Sequence, residues 1–130
     1  MNTIILSIKP KWAEKIYSGE KTIEFRKTIP ACMRPGSDET VKAFLYESAP
    51  VSRITGKCFL SLGSSSPDGS FCEDTLRRGC LTEQDMAGYS RGKPVYALSV
   101  TGAKVRMKWL KISDTRFKRP PQSWCYVGAV

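Results

Sequence analysis

Residues 4–30 read IILSIKPKWAEKIYSGEKTIEFRKTIP, and the punctuation in this stretch leaves one local path: strand, helix, abrupt stop, second strand. Ile4, Leu6 and Ile8 alternate with Ile5, Ser7 and Lys9, the period of a strand buried fully on one face and partly on the other. Pro10 opens a helix, because its missing N–H falls where a helix has an unpaired donor anyway. Trp12, Ala13, Ile16 and Tyr17 then recur at three- and four-residue spacing and give one apolar stripe. Gly19 stops the helix, since a left-handed C′ residue costs glycine nothing sterically.

The strand that follows is where chemistry can sit. A period of two places Ile23 and Phe25 on one face and Thr22, Glu24 and Arg26 on the other, with Lys21 at the mouth of the strand. Two readings compete: a solvated face with incidental charges, or a cleft wall where lysine and arginine pair a carboxylate that is costly to bury alone. In the second, Lys21, Glu24 and Arg26 form a binding site, with Lys9 beside them if the first two strands are neighbours. The cations would hold a phosphate and the glutamate would accept from the exocyclic amine of a base. Trp12 and Tyr46 are either base-stacking platforms or core residues.

A chain of 130 residues fits one domain, here 1–130, and 41% hydrophobic with 25% charged residues suits a soluble globular protein. No apolar run approaches the length of a membrane span and the N-terminus lacks a signal-peptide layout, so the expected location is cytoplasmic. The net charge of +9 favours a polyanionic partner, and the absence of histidine removes histidine-based catalysis. Five cysteines without a C-x-x-C pair argue against a zinc site; Cys58 and Cys125 read as small core residues. No P-loop, dinucleotide, zinc-protease or serine-hydrolase motif is present, and neither a metal nor a cofactor is expected.

Further along, residues 27–39 read as a surface connector that could instead form one lip of a cleft. Residues 41–48 and 54–62 form two strands about Pro50, antiparallel, with Gly56 at a bulge or a point of close approach. The serine-rich stretch 63–69 reads as a mobile loop. Capping boxes at Ser70/Glu73 and Thr82/Asp85 open helices over 70–78 and 82–89, and their acids serve as helix-start chemistry. Residues 94–100 and 104–110 complete the strands. In the last of these Lys104, Arg106 and Lys108 share one face, opposite Val105, Met107 and Trp109, which makes it either a phosphate-facing, nucleic-acid-binding ribbon or a lysine-protected edge.

The pattern L-S-I-K-P-x-x-A-x-x-I-x-x-G-x-K-x-x-E-x-R, present from Leu6 to Arg26, resembles the opening signature of ASCH domains, members of the PUA-like superfamily. Residues 52–58 resemble the barrel strand that follows that family's P-V/I step, here Pro50-Val51, and residues 120–126 its closing strand. The resemblance implies an α+β fold: a small, largely antiparallel PUA-like β-barrel of five to seven strands with short flanking helices. It implies binding of RNA, single-stranded nucleic acid or a nucleotide in a basic cleft, with a regulatory role. The alternative is a small hydrolase, either a ribonuclease or an N4-acetylcytidine amidohydrolase, with Lys21 and Glu24 as catalytic candidates. The amidohydrolases carry G-x-K-x-x-T-x-R; here Lys21 and Arg26 match, Glu24 stands in the threonine's place, Thr22 has the wrong spacing, and Tyr89 falls nearest their later glutamate. A carboxylate next to Lys21 is expected to keep its ammonium charged and so oppose a role as base.

Overall fold

A computed structural model describes residues 1–127. Strand β1 (Thr3–Ile8) leads into helix α1 (Pro10–Ser18), with Pro10 in the first turn and Gly19 at φ 86° closing it. Strand β2 (Ile23–Arg26) follows, then a short 3₁₀ turn, β3 (Thr40–Glu47) and the long β4 (Arg53–Ser66). Helices α2 (Glu73–Arg78) and α3 (Glu83–Ser90) precede β5 (Val95–Leu110), and β6 (Trp124–Tyr126) ends the described chain.

The six strands form one sheet in the order β2-β5-β4-β3-β1-β6. Every pairing is antiparallel except β1 with β3. The parallel pair follows from chain length: β1 and β3 are separated by α1, β2 and a connector, long enough for the crossover that parallel strands need. The sheet curls into an incomplete barrel with β2 and β6 as its two edges. Strands β1 and β2 are therefore not hydrogen-bonded neighbours; β2 faces the end of β1 across the open seam that the β2 and β6 edges leave.

Three apolar clusters hold this arrangement. Ile4, Leu6, Ile8, Val41, Ala43, Leu45, Cys58, Leu60 and Leu98 fill the concave side, with Ala13 and Ile16 of α1 packed into the same cluster. Trp12 and Tyr17 flank that stripe half-buried, as the helical spacing predicts. Phe25, Ile23, Leu76 and Met86 bind α2 and α3 to the β2–β5 edge. Tyr46 and Ile5 lie in a third cluster with Ile54 and Ile112, which makes Tyr46 a core residue with no part in a stacking platform. Cys58 is fully buried in the first cluster, and Cys125 packs half-buried against the third.

Two expectations about local structure need correction. The serine-rich stretch is no loose loop: Ser64, Ser65 and Ser66 continue β4 against Ala97, Tyr96 and Val95. The turn beyond it is pinned by Asp68, which accepts from the Ser66 hydroxyl and the Ser70 amide and receives the Ser90 hydroxyl on its carbonyl. Low side-chain complexity does not prevent a backbone ladder when a partner strand is available. Helix α2 begins at Glu73 behind Cys72, with no side-chain cap, so Ser70 caps nothing. The second capping box forms as expected, with Thr82 and Asp85 exchanging bonds of 3.0 Å. Gly56 sits where the β4–β5 register shifts.

Candidate functional site

The seam between β1 and β2 is bridged by side chains. Arg26, at the end of β2, donates from Nη2 to the carbonyl of Ser7 in β1 at 2.8 Å and from Nη1 to the Ser123 hydroxyl at 3.2 Å. Its Nε donates to Glu24 Oε2 at 2.8 Å. A guanidinium suits this position because its planar fork serves a carboxylate and a carbonyl at once. The strand register puts Glu24 two residues back on the same face, so the sequence itself dictates the pairing.

Lys21 completes the group from the turn behind the α1 stop. Its ammonium lies 3.3 Å from Glu24 Oε1 and donates to the carbonyl of Gly79 at 2.7 Å. The Lys21 and Glu24 side chains are only 3% and 8% exposed, which rules out the solvated-face reading. Burial lowers the Lys21 pKa, and the neighbouring Glu24 opposes the shift without reversing it. The sequence-based expectation had the opposite sign, because it weighed the partner charge and could not see the depth of burial. Gly79 is required at its position: a Cβ there would run into the Phe25 ring.

Above this triad lies a cavity of about 430 Å³ lined by Ser7, Ile8, Lys9, Trp12, Lys21, Glu24, Phe25, Arg26, Ser48, Leu81, Asp85, Tyr89 and Gln122. The structure thus brings Lys9, Lys21, Glu24 and Arg26 to one hollow. Lys9 is exposed at its rim. Trp12 forms a wall with the Lys21 ammonium 5.1 Å from its ring, inside cation–π range. Tyr89 faces Trp12's hollow from α3, its hydroxyl donating to the Phe25 carbonyl at 3.3 Å and its pKa raised by burial. Thr22 is exposed and absent from the lining, so it supplies no hydroxyl there. The connector over residues 27–39 contributes no lining residue either, although Lys27 lies 4.6 Å over the Tyr89 ring.

Sequence reasoning missed Asp85, Ser7, Ser48 and Gln122. Asp85 is a helix cap and a cavity-lining acid together, with its pKa lowered by the amide of Thr82. The others come from distant segments, and no spacing rule connects them. Lys104, Arg106 and Lys108 stand apart: they are exposed on β5 and absent from the cavity lining. The expected alternation fails there, because Val105, Met107 and Trp109 are exposed as well.

Taken together, the hollow offers apolar walls from Trp12, Phe25, Leu81 and Tyr89 above a floor of paired charges. Such a site suits a flat, partly apolar guest with polar edges. Among the described residues no three His, Cys, Asp or Glu side chains cluster to hold a metal, and no helix is long and apolar enough to cross a membrane.

No known family's sequence profile matches the chain. A curated protein named "ASCH domain-containing ribonuclease", from Zymomonas mobilis, is 28% identical over 88 residues, covering 68% of this chain. The match spans 56% of that relative's own length. Among solved structures, ASCH from Zymomonas mobilis superposes with a TM-score of 0.68 and 25% identity, over 95% of this chain and 86% of that one. A tyrosine-to-phenylalanine variant of the same protein gives a TM-score of 0.74 with 24% identity, over 97% and 90% of the two chains. In its curled six-stranded sheet and short helices the chain is similar to these ASCH structures, and it shares their fold.

Proposed function

We propose that this protein binds RNA or another single-stranded nucleic acid by taking one nucleotide unit into the seam cavity. The observation that carries the reading is the pairing of aromatic walls, Trp12 and Tyr89, with a charged floor in a hollow of about 430 Å³. A base finds a stacking surface there and polar edges to meet. Lys9 at the rim and Lys27 over the Tyr89 ring supply charge for the phosphates, and the whole chain's +9 favours the encounter. The Arg26 and Lys21 head groups are already held by Glu24, Ser7 and Gly79, so they shape the floor more than they neutralise phosphate.

A salt titration of short RNA tests this. With about two rim phosphates neutralised, affinity falls with a log–log slope near −1.4 for a single strand, or about sevenfold from 50 to 200 mM salt. Binding that is undetectable at low salt, or indifferent to salt, removes the reading.

Ribonuclease activity is the second reading, supported by the name of the Zymomonas relative and by the lowered pKa of Lys21. A lysine brought toward neutrality is suited to take a proton from a ribose 2′-hydroxyl. Against it, Lys21 is enclosed and its ammonium already serves Glu24 and Gly79. Incubation with end-labelled RNA separates the two: fragments lost in Lys21→Met favour the ribonuclease, whereas intact RNA favours the binder. The amidohydrolase reading has less support, since Glu24 replaces the threonine and Thr22 lies outside the hollow.

A further inference from the structure

The far half of β5 is unlike the rest of the sheet. Its first half is flanked by β2 and β4, with Tyr96 to Ser99 facing β2. Beyond that the β2 side is open. On the β4 side the ladder joins Gly56 to Val105 and Ile54 to Leu110, so Thr55 alone stands opposite residues 106–109. Those four residues are pushed outward as a wide bulge. Met107 is 107% exposed, Trp109 50% and Val105 47%.

Around this apolar knob the charge is of one sign. Lys104, Arg106, Lys108 and Lys111 are all exposed, and no side-chain ion pair holds any of them among the described residues, although the Asp114 carboxylate accepts from the Lys111 amide. Lys104 even faces Lys57 directly across the ladder, a like-charge pair that a sheet does not choose for its own stability. A large indole and a thioether left in water among unpaired cations fit a partner that is anionic and carries flat apolar faces. A second copy of this chain would bring the same cations and be repelled. An acidic protein also satisfies the charge, but a polynucleotide supplies a phosphate and a stackable base at every unit along the strand.

We infer that the bulge of β5 is a second docking surface for single-stranded nucleic acid, with Trp109 stacking a base while Lys104, Arg106 and Lys108 hold the adjoining phosphates. It rests on the nucleic-acid reading given above, and it extends the footprint from one nucleotide at the seam to a strand running along β5. From Tyr96, opposite Arg26, to Val105 is nine residues, at most about 30 Å of strand. Affinity therefore depends on oligomer length, since only a long strand reaches both surfaces and gains from their linkage.

The test compares the unaltered protein with Trp109→Ser and with the triple variant Lys104→Ser/Arg106→Ser/Lys108→Ser. Each is titrated with labelled RNA of about 4 and about 16 nucleotides, the span of known single-strand site sizes. Unchanged circular dichroism and melting temperature are expected, because every altered side chain is exposed. The 16-mer loses about 5- to 150-fold in affinity with Trp109→Ser. With the triple variant its log–log salt slope becomes shallower by about 2. The 4-mer binds all three proteins alike. A 16-mer affinity indifferent to both variants overturns the inference. So does Trp109-dependent binding to phosphatidylserine vesicles without binding of the 16-mer, which would make the bulge a membrane-surface contact. Failure of the seam reading looks different: the 4-mer then binds no variant, while the 16-mer still depends on Trp109.

Discussion

Removing the negative charge of Glu24 is the sharpest perturbation of the seam. In Glu24→Gln the side chain keeps its shape and can still accept one bond from Arg26, but Lys21 is left 3% exposed with only the Gly79 carbonyl for its ammonium. Breaking a buried pair by removing one partner costs about 3–5 kcal/mol. The surviving Arg26 bond places this variant near the lower end, at about 3 kcal/mol. For a domain of this size, at about 4 °C per kcal/mol, the melting temperature falls by about 12 °C. The double variant Lys21→Met/Glu24→Gln removes the stranded charge and recovers most of the loss. The single variant also steepens a pH dependence that the unaltered chain already carries, since Glu24 no longer opposes the lowering of the Lys21 pKa. Lys21 titrates lower in the folded chain than in the unfolded one, so between those two values the unfolded state binds more protons and stability rises with pH. Urea and thermal unfolding followed by circular dichroism read all three quantities. A drop of less than about 1 kcal/mol in Glu24→Gln, or a double variant no better than the single, would refute the claim that the triad is a mutually dependent buried unit.

Other consequences can be checked in parallel. Gly79→Ala drives a methyl into the Phe25 ring and displaces the carbonyl that holds Lys21, for a loss of about 1–3 kcal/mol in urea unfolding; a neutral result would mean the α2 stop adjusts freely. Burial pushes the Cys58 thiol from 9.0 up to about 12, so its contribution is complete below pH 9.0 and is lost as pH rises toward 12, by about 1.4 kcal/mol per pH unit. Cys58→Ala should flatten that alkaline decline, and an unchanged profile would show that another group sets it. Cys72 is exposed, with its pKa lowered by the Thr75 hydroxyl and by helix-start amides, so a thiol reagent at neutral pH should label Cys72 first and Cys58 last.

Much of the architecture was legible because the relevant signals are local. Pro10, the α1 stripe, Gly19 and the alternation of β2 each depend on neighbouring residues, and each appears where the spacing puts it. Glu24 and Arg26 share a face for the same reason. What could not be read was depth. The sign of the Lys21 shift turns on burial by Trp12, Phe25 and the α2 end, all assembled by tertiary packing. The Arg26 bridge to Ser7 and Ser123 spans 97 residues of sequence at its longest, and no periodicity encodes it. At β5 the alternation of Lys104 to Trp109 predicts two unlike faces of a strand, but the missing partner on the β2 side and the bulge against Thr55 expose both.

The central claim, that the hollow at the β1–β2 seam accepts a nucleotide unit, is tested most directly by following backbone and indole N–H resonances during titration with a four-nucleotide RNA. The account predicts saturable shifts at the Trp12 indole, Lys9, Lys21, Tyr89 and Gln122, which line the cavity, with little change in the Ile5, Tyr46 and Ile54 cluster. Shifts confined to surfaces away from the cavity, or none at low salt, would contradict it.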